Sequence, residues 1–523
     1  MLQPTTGGLS FTLALPNERA THKLALDVAA ILEPGDLVTL SGDLGAGKTT
    51  FARELIRLLA GDARLEVPSP TFTLIQTYEL PGLTIVHADL YRVAGSSELA
   101  ELGFDDLPED AVVLLEWPDR AAGFLPPDRL DISLTLAPQF GSEFRHARLT
   151  GYGSFAARTE RMEAARKFLD ETDFAGAERA PLAGDASTRS YERLTLAGRS
   201  AILMNAPRRP DGPPVRAGKS YSAIAHLAED IKPFVAMAKA LRQRGFSAPE
   251  IHAADLDAGF IILEDLGAEG VVAGDPPAPV ESRYETAVKV LAALHGMDLP
   301  ATLPLAPHVD YRLPRYDMEA LLIEAELLLD WYVPLHRPAL PEFARAEFVK
   351  LWREALQTAI NQPPTWVLRD FHSPNLLWLA ERNELARLGL LDFQDAVLGP
   401  AAYDLASLLQ DARIDISENM EASLFGDYLR MRHATDRAFN ATGFSESYAI
   451  LAAQRASKIL GIFARLDRRD GKPQYLQHIP RVWGYLRRAL AQPPLAPLQT
   501  WYRAHIPSPE TGRAARLEKD RNG

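Results

Sequence analysis

The 523-residue sequence contains no cysteine, which excludes disulfides, thiolate zinc sites, iron–sulfur clusters and cysteine nucleophiles together. It also lacks long apolar runs, and a stretch such as 112–115 is far too short to span a membrane. The N-terminus has no basic segment followed by an apolar one, so a secretory signal is not expected. These absences predict a cytoplasmic protein without a membrane segment.

Basic residues are scarce at the start of the chain. Residues 1–150 carry 11 Lys and Arg against 21 Asp and Glu, within a whole-chain formal net charge of −13. A domain that grips nucleic-acid phosphates by itself normally presents a basic face. We therefore expect any nucleic-acid role of this region to run through a partner. The chain length predicts about three folding units of ~100–200 residues each.

The first motif is a glycine-rich loop between a predicted strand and a predicted helix. Residues 36–41 lead into Gly-Asp-Leu-Gly-Ala-Gly-Lys-Thr at 42–49, after which the apolar spacing becomes helical. Glycines let backbone N–H groups turn inward around phosphates, and the helix N-terminus adds the positive end of its dipole. The pattern predicts a P-loop in which Lys48 reaches the β- and γ-phosphates and Thr49 binds Mg²⁺. The predicted nucleotide-binding residues are Gly42, Gly45, Ala46, Gly47, Lys48, Thr49 and Thr50.

Two further predicted strands end in carboxylates. Residues 83–87 lead to Asp89, and residues 111–115 lead to Glu116. A carboxylate at the end of an apolar strand beside a P-loop is the arrangement that holds magnesium and orients water. We therefore predict that both carboxylates serve ATP hydrolysis and that Glu116 is also a metal ligand. Trp117 either belongs to the core or forms an aromatic wall beside the nucleotide, and we count it among the cofactor-binding candidates.

These motifs, in this order, resemble the TsaE family, the ATPase subunit of the bacterial machinery that makes threonylcarbamoyladenosine in certain tRNAs. The resemblance covers about residues 10–150 and includes Ser-Pro-Thr-Phe at 69–72, Glu98, and Glu-Leu-Gly at 101–103. It implies that Thr71 lies in a loop that senses the nucleotide, with ATP and Mg²⁺ as cofactors. It also implies a TsaD-like transferase and a TsaB-like paralogue as partners, which would hold the tRNA.

A second pattern starts after residue 153. A polar loop at 183–191 lies between two predicted strands, which is how protein-kinase-like enzymes cover ATP phosphates. A later strand at 260–263 runs into a predicted hinge that begins at Glu264. The predicted nucleotide-binding residues of this part are Ser187, Thr188, Arg189 and Glu264.

The decisive segment of this part is Leu-Arg-Asp-Phe-His-Ser-Pro-Asn at 368–375, followed by Leu-Leu-Asp-Phe-Gln-Asp at 390–395. Kinase catalytic loops place an aspartate five residues before an asparagine, with a second aspartate after the next strand. Asp370 is therefore predicted to accept the proton of the attacking hydroxyl group. Asn375 and Asp392 are predicted to hold Mg²⁺ against the phosphates.

Other residues near these motifs leave alternatives open. Asp395 either assists the metal or is structural, and Asp404 is expected to brace the catalytic loop. The kinase strand that usually reads Val-Ala-Ile-Lys reads Ala-Ile-Leu-Met-Asn at 201–205, so the phosphate-pairing lysine is absent. Either another cation, Arg189 or Lys219, substitutes for it, or the domain is inactive.

Residues from about 160 to 500 resemble the AmgK family, anomeric sugar kinases of peptidoglycan recycling within the aminoglycoside-phosphotransferase superfamily. The matching pieces include the lysine-free segment 203–207, the segment 368–377 and the pair 454–455. The resemblance implies ATP-dependent phosphorylation of the C1 hydroxyl of N-acetylmuramate and N-acetylglucosamine. It makes the missing lysine a family trait, although Asn205 stands where the family usually has Asp.

The basic residues of the late helices give mild support for an anionic acceptor. Aminoglycosides are polycations and would favour a carboxylate-lined pocket, whereas a basic pocket would suit N-acetylmuramate. A basic run on a helix is more often a solvated face than a binding surface. The residues concerned are Arg455, Lys458, Arg465, Arg468 and Arg469.

Taken together, the sequence predicts an α/β P-loop NTPase domain followed by an α+β protein-kinase-like domain of two lobes, of the aminoglycoside-phosphotransferase type. The predicted boundaries are 1–153 for the P-loop domain, 154–175 for a linker, 176–268 for the small lobe, 269–507 for the helical lobe and 508–523 for a polar tail. Alternatively, the first domain is a nucleotide-dependent interaction module without a tRNA role. The second is then an aminoglycoside or amino-alcohol kinase, or a non-catalytic scaffold, although its intact catalytic residues oppose the last reading.

Overall fold

The structure is a computed structural model that describes residues 8–80, 82–93, 108–121, 123, 125–182 and 189–509. The chain divides into two compact units, Met1–Asn205 and Ala206–Gly523. In the described parts of both units, none of the helices has the combination of length and apolar character needed to cross a lipid bilayer.

A seven-stranded mixed sheet forms the centre of the first unit, in the order β1-β7-β6-β2-β5-β4-β3. Its strands are β1 (Leu9–Leu15), β2 (Leu37–Ser41), β3 (Ile75–Leu80), β4 (Leu83–Asp89), β5 (Val112–Glu116), β6 (Arg129–Leu136) and β7 (Arg145–Tyr152). Strands β2, β4, β5 and β6 run parallel, whereas β1, β3 and β7 pair antiparallel with their neighbours. Parallel pairing brings the C-terminal ends of β2, β4 and β5 to one edge of the sheet, where the glycine loop begins.

The helices of the first unit are α1 (Glu18–Ala29), α2 (Lys48–Ala60) and α3 (Ser154–Asp170). Helix α1 begins where the Asn17 side chain accepts a hydrogen bond from the backbone N–H of Ala20 at 3.0 Å. Helix α2 follows Gly47 directly, so the glycine loop ends on a helix N-terminus. The apolar faces of α1 and α2 pack on the sheet in one core that includes Leu24, Val28, Phe51, Leu55, Leu114 and Ile132.

Three antiparallel strands follow α3 within the first unit: β8 (Glu178–Leu182), β9 (Ser190–Leu196) and β10 (Arg199–Asn205). Buried Asp27 of α1 pairs with Arg166 of α3 and with Arg179 of β8. Arg179 also pairs with Glu192 of β9 at 2.6 Å. These ion pairs tie segment 154–205 to the P-loop part. The linker 154–175 and the small lobe beginning at 176 stay predictions.

The second unit consists of short strand pairs and many helices. Its strands are β11 (Pro214–Arg216), β12 (Lys219–Ser220), β13 (Ile251–Asp255), β14 (Phe260–Glu264), β15 (Val272–Ala273), β16 (Ala278–Pro279), β17 (Thr302–Ala306), β18 (Val309–Arg312), β19 (Pro364–Val367), β20 (Leu376–Trp378), β21 (Leu388–Leu390) and β22 (Val397–Pro400). Its α-helices span Tyr221–Ala225, Lys232–Gln243, Glu281–Leu294, Met318–Leu327, Val333–His336, Glu342–Ile360, Ala402–Leu409, Glu418–Thr435, Ala441–Asp470, Ile479–Leu490 and Ala496–His505.

Two antiparallel strand pairs position the predicted catalytic loop of the second unit. Strand β19 pairs with β22, and β20 pairs with β21. The loop 368–375 leaves β19 and enters β20, and Asp392 follows β21. The helix Ala441–Asp470 packs against Met318–Leu327, Ala402–Leu409 and Ile479–Leu490, which places its buried face near this loop.

Candidate active sites

The loop between β2 and α2 has a backbone conformation that depends on its glycines. Gly42, Gly45 and Gly47 have φ angles of +133°, +81° and +103°, a region that glycine adopts without strain. A Cβ atom on Gly42 would lie 2.1 Å from the carbonyl oxygen of Leu134, whereas one on Gly45 would meet nothing within 4 Å. Packing therefore requires glycine at position 42, and the loop conformation favours it at the other two positions.

The Lys48 side chain folds back across this loop. Its Nζ donates hydrogen bonds to the carbonyl oxygens of Gly42 at 2.8 Å and Asp43 at 3.0 Å, and lies 3.7 Å from the ring centroid of Trp117. Burial lowers the pKa of Lys48, and the charges of Glu116 and of two other carboxylates oppose part of that change. Trp117 therefore contacts the loop lysine directly, as an aromatic wall of the site would.

Glu116 is the centre of a buried polar cluster at the end of β5. Its Oε2 accepts a hydrogen bond from Thr49 Oγ1 at 3.1 Å, and its Oε1 lies 3.0 Å from His87 Nε2. The side chains of His87 and Glu116 are 0% and 2% exposed. In the parallel pairing of β4 with β5, Asp89 is the direct partner of Glu116. The two predicted carboxylates therefore lie side by side next to the P-loop.

Asp89 is held by the segment that precedes β3. Its Oδ2 accepts hydrogen bonds from the hydroxyl groups of Ser69 at 3.3 Å and Thr71 at 3.2 Å, and its Oδ1 accepts from the backbone N–H of Tyr91 at 2.9 Å. Thr71, the predicted nucleotide-sensing residue, thus contacts a strand-end carboxylate. Ala46 is buried and Thr50 is half-buried at the start of α2. The motif residues Glu98 and 101–103 lie outside the described residues.

His87 is a site residue that the sequence reasoning did not single out. The signal was its position on the same strand as Asp89, two residues earlier, which directs both side chains to one face of the sheet. The hydrogen bond to Glu116 orients that carboxylate in the way that outer-shell partners orient ligands.

Replacing His87 with Phe should lower ATP hydrolysis at the P-loop site by about 10–100-fold, because Glu116 loses its orienting partner. Nucleotide affinity should change little, since the hydrogen bond of His87 is to Glu116 and not to a loop residue. Phosphate release by His87→Phe, measured in an Asp370→Asn background, checks this without turnover at the second site. His87→Gln, which can still donate to Glu116, should recover part of the rate. Equal rates with and without His87→Phe in the Asp370→Asn background would contradict the assigned role.

In the second unit the predicted base Asp370 and the predicted metal ligands Asn375 and Asp392 lie close together. Asn375 Nδ2 donates to the backbone carbonyl of Asp370 at 2.9 Å and lies 3.4 Å from Asp392 Oδ2. Gln394 Nε2 donates to Asp392 Oδ1 at 2.7 Å, which fixes the carboxylate. Arg369 and Asp392 have φ angles of +68° and +56°, and such backbone strain clusters at functional sites.

Asp404 holds the loop 368–375 by hydrogen bonds to its backbone, as expected. Its Oδ2 accepts from the backbone N–H of Leu368 at 2.6 Å, and its Oδ1 accepts from that of Arg369 at 2.9 Å. Asp395 Oδ1 accepts from the backbone N–H of Ala228 at 2.6 Å, and burial raises the pKa of Asp395. The observed contact of Asp395 is therefore a structural one.

Asp370 stays ionised although it is half-buried. Burial alone would raise its pKa, but the neighbouring His372, with the charges of Lys458 and Arg455, holds the pKa of Asp370 well below its ordinary value. His372 Nε2 lies 3.7 Å from Asp370 Oδ1. An ionised carboxylate at this position can accept a proton.

A cavity of about 170 Å³ opens beside Asp370. Basic side chains outnumber acidic ones in its wall, and aliphatic and aromatic groups close it. The lining residues are Asp370, His372, Tyr403, Asp411, Ala412, Arg413, Arg455, Lys458, Ile459, Ile462 and Phe463. Arg455 and Lys458 of the late basic run therefore face a cavity and not only solvent.

The predicted nucleotide-binding residues of the kinase-like part are distributed as follows. Glu264 ends β14, and its side chain pairs with Arg242 at 3.2 Å and with Arg382. Arg189 directly precedes β9 in the first unit, and Ser187 and Thr188 lie outside the described residues. The side chain of Glu264 is thus committed to arginines. Lys219 is exposed on β12.

Both sites offer ligands of the kind that Mg²⁺ uses. Thr49 and Glu116 are adjacent in the first unit, and Asn375 and Asp392 are adjacent in the second. Among the described residues, no group of three or more His, Asp or Glu could hold a metal ion. Mg²⁺ commonly binds to one or two carboxylates together with substrate phosphates, and both residue pairs fit that mode.

Two family models match the chain, one in its N-terminal part and one in its C-terminal part. Residues 15–142 match the family model for the threonylcarbamoyl adenosine biosynthesis protein TsaE, and residues 178–439 match that for the phosphotransferase enzyme family. Over 122 residues the chain is 43% identical to the tRNA threonylcarbamoyladenosine biosynthesis protein TsaE of Rickettsia felis, covering 23% of this chain and 71% of that protein.

The remainder is similar to sugar kinases. Over 362 residues the chain is 39% identical to the N-acetylmuramate/N-acetylglucosamine kinase of Caulobacter vibrioides, covering 67% of this chain and 98% of that protein. The kinase of the same name from Pseudomonas aeruginosa is 33% identical over 326 residues, covering 61% of this chain and 85% of that protein.

Proposed function

We propose that this chain, which belongs to the TsaE family through residues 15–142 and to the phosphotransferase enzyme family through residues 178–439, is a bifunctional enzyme. Its C-terminal part transfers phosphate from ATP to the C1 hydroxyl of N-acetylmuramate and N-acetylglucosamine. Its N-terminal part hydrolyses ATP in support of threonylcarbamoyladenosine formation on tRNA. The observation that carries the kinase assignment is the meeting of Asp370, Asn375 and Asp392 beside a basic cavity.

In the proposed transfer, Asp370 is the general base. Its carboxylate accepts the proton of the C1 hydroxyl while the sugar oxygen bonds to the γ-phosphorus and the bond to the bridging oxygen of ADP breaks. Asn375 and Asp392 would hold Mg²⁺, which supplies positive charge to the phosphates. Gln394 keeps the Asp392 carboxylate in place.

In the proposed ATPase, Lys48 and the backbone N–H groups of the glycine loop bind the phosphates. The lysine exchanges its hydrogen bonds to the Gly42 and Asp43 carbonyls for phosphate oxygens. Thr49 and Glu116 would hold Mg²⁺. Glu116 and Asp89 also orient the attacking water.

For the tRNA role we propose that a TsaD-like transferase and a TsaB-like paralogue bind the first domain and hold the tRNA. The excess of 21 acidic over 11 basic residues in 1–150 favours binding of tRNA through partners. We assign both reactions to the cytoplasm, because both consume ATP.

An acceptor panel tests the kinase. The purified chain, given ATP and Mg²⁺, should phosphorylate N-acetylmuramate and N-acetylglucosamine and leave kanamycin unchanged. Transfer to kanamycin alone would show that the acceptor is an aminoglycoside and not an N-acetylated sugar. No transfer to any acceptor, by a folded chain that binds ATP, would contradict the kinase proposal.

Genetic rescue tests the tRNA role. Bacteria depleted of their own TsaE-type ATPase should regain threonylcarbamoyladenosine in tRNA when they express this chain. The nucleoside is measured by mass spectrometry of digested tRNA. Absence of the nucleoside despite normal expression would favour an interaction module without a tRNA role.

A further inference from the structure

Arg455 is a buried cation whose donors are mostly unused. It lies on the helix Ala441–Asp470, and the residue is 6% exposed. Its Nη2 donates to Ser407 Oγ at 2.8 Å, but its Nε and Nη1 have no hydrogen-bond partner in the described part of the chain. Buried charged groups in proteins are normally paired, so an unpaired guanidinium needs an explanation.

The neighbouring cation Lys458, in contrast, forms an ion pair within the protein. It lies one helical turn after Arg455 and lines the same cavity. Its Nζ donates to Glu324 Oε1 at 2.7 Å, and that buried carboxylate also pairs with Arg369. Lys458 therefore has its counter-ion within the protein. Among the described residues, Arg455 donates a hydrogen bond only to a neutral hydroxyl group, and the carboxylate on which its charge acts is Asp370 in the wall of the same cavity.

The position of Arg455 indicates that the missing anion belongs to the acceptor. The cavity is lined by Asp370, the proposed base, but not by Asn375 or Asp392, the proposed ligands of the metal that holds ATP phosphates. It therefore lies on the acceptor side of the base. A second cavity beside Arg455, of about 10 Å³, has room for about one water molecule and not for a carboxylate group.

We propose that Arg455 determines the acceptor preference of the proposed kinase by binding the lactyl carboxylate of N-acetylmuramate. A planar guanidinium matches a carboxylate in geometry and charge, and burial strengthens the interaction. N-acetylglucosamine lacks this carboxylate and leaves the Arg455 donors without an anion. The inference rests on the proposed sugar kinase activity and names the substrate feature that its cavity recognises.

Steady-state kinetics of Arg455→Gln with both sugars test the inference. The KM for N-acetylmuramate should rise about 10–100-fold, the usual effect of losing a charge-assisted hydrogen bond. The KM and kcat for N-acetylglucosamine should change little. The KM of Arg455→Lys for N-acetylmuramate should lie between the values of the unaltered chain and of Arg455→Gln. Lysine keeps the positive charge but lacks the planar pair of donors of a guanidinium. The matched control is Arg469→Gln, which alters an exposed basic residue of the same helix that does not line the cavity.

A neutral substrate gives a second measurement that needs no altered protein. The unaltered chain should bind the carboxamide of N-acetylmuramate about 10–100-fold more weakly than the acid. Equal affinity for acid and amide, or an equal loss for both sugars in Arg455→Gln, would overturn the inference and leave Arg455 with a structural role. If the unaltered chain phosphorylates neither sugar, the proposed kinase function itself fails.

Discussion

Asp370→Asn should lower kcat for sugar phosphorylation by about 10²–10⁴-fold, the usual contribution of a positioned general base. The amide cannot accept the proton of the C1 hydroxyl, yet it has nearly the size of the carboxylate. The loop itself should keep its conformation, because Asp404 and Asn375 hold it through backbone groups and not through the Asp370 side chain. Initial rates at saturating ATP and sugar measure the effect.

The control for this experiment is Asp298→Asn, which makes the same chemical change at an exposed position outside the cavity. It should retain the full rate. Thermal unfolding of both variants should match that of the unaltered chain within a few degrees. A rate for Asp370→Asn within about threefold of the unaltered chain would contradict its role as base, since general-base loss is larger.

Lys48→Ala should abolish the function of the P-loop site while it leaves the kinase intact. The buried ammonium lies among the loop carbonyls and next to Trp117, and it is the one cationic side chain within the sequence 42–49. Loss of one such preorganised charge typically lowers turnover by about 10²–10³-fold. In rescued bacteria the modified tRNA nucleoside should fall to the level without the chain, while sugar phosphorylation by the purified variant stays unchanged.

Two further variants complete this comparison. Lys167→Ala removes an exposed lysine of α3 and should keep both activities. Asp370→Asn should keep the tRNA activity and lose the kinase. If Lys48→Ala also lowers sugar phosphorylation severalfold with an unchanged unfolding temperature, the two sites are coupled. The ion pairs of Asp27 with Arg166 and Arg179 are then the first contacts to alter.

Local sequence predicted the parts of both sites that are local in the chain. The glycine loop, Lys48 and Thr49 are consecutive, and the spacing of Asp370, Asn375 and Asp392 reflects one loop and one hairpin. The carboxylates of Asp89 and Glu116 were predicted from strand ends. Asp89 lies opposite Glu116 because of the parallel register of β4 and β5. The sequence of either strand alone does not indicate that register.

Contacts between distant segments could not be predicted. The late basic run contains five candidate residues. Only the packing of their helix shows that Arg455 lines the cavity with two nitrogens that lack hydrogen-bond partners among the described residues. The sequence around His87 is that of an ordinary strand, and its role depends on Glu116 of the neighbouring strand, which lies within hydrogen-bond distance. Asp27, on a helix near the start of the chain, pairs with two much later arginines, Arg166 and Arg179, and no local pattern indicates these contacts.

The most direct test of the kinase assignment is the position of the transferred phosphate. The chain should phosphorylate free N-acetylglucosamine to a product whose phosphorus resonance couples to the anomeric proton. It should not act on the methyl glycoside, in which C1 carries no hydroxyl group. Phosphorylation of the methyl glycoside at a rate similar to that of the free sugar would contradict an anomeric kinase.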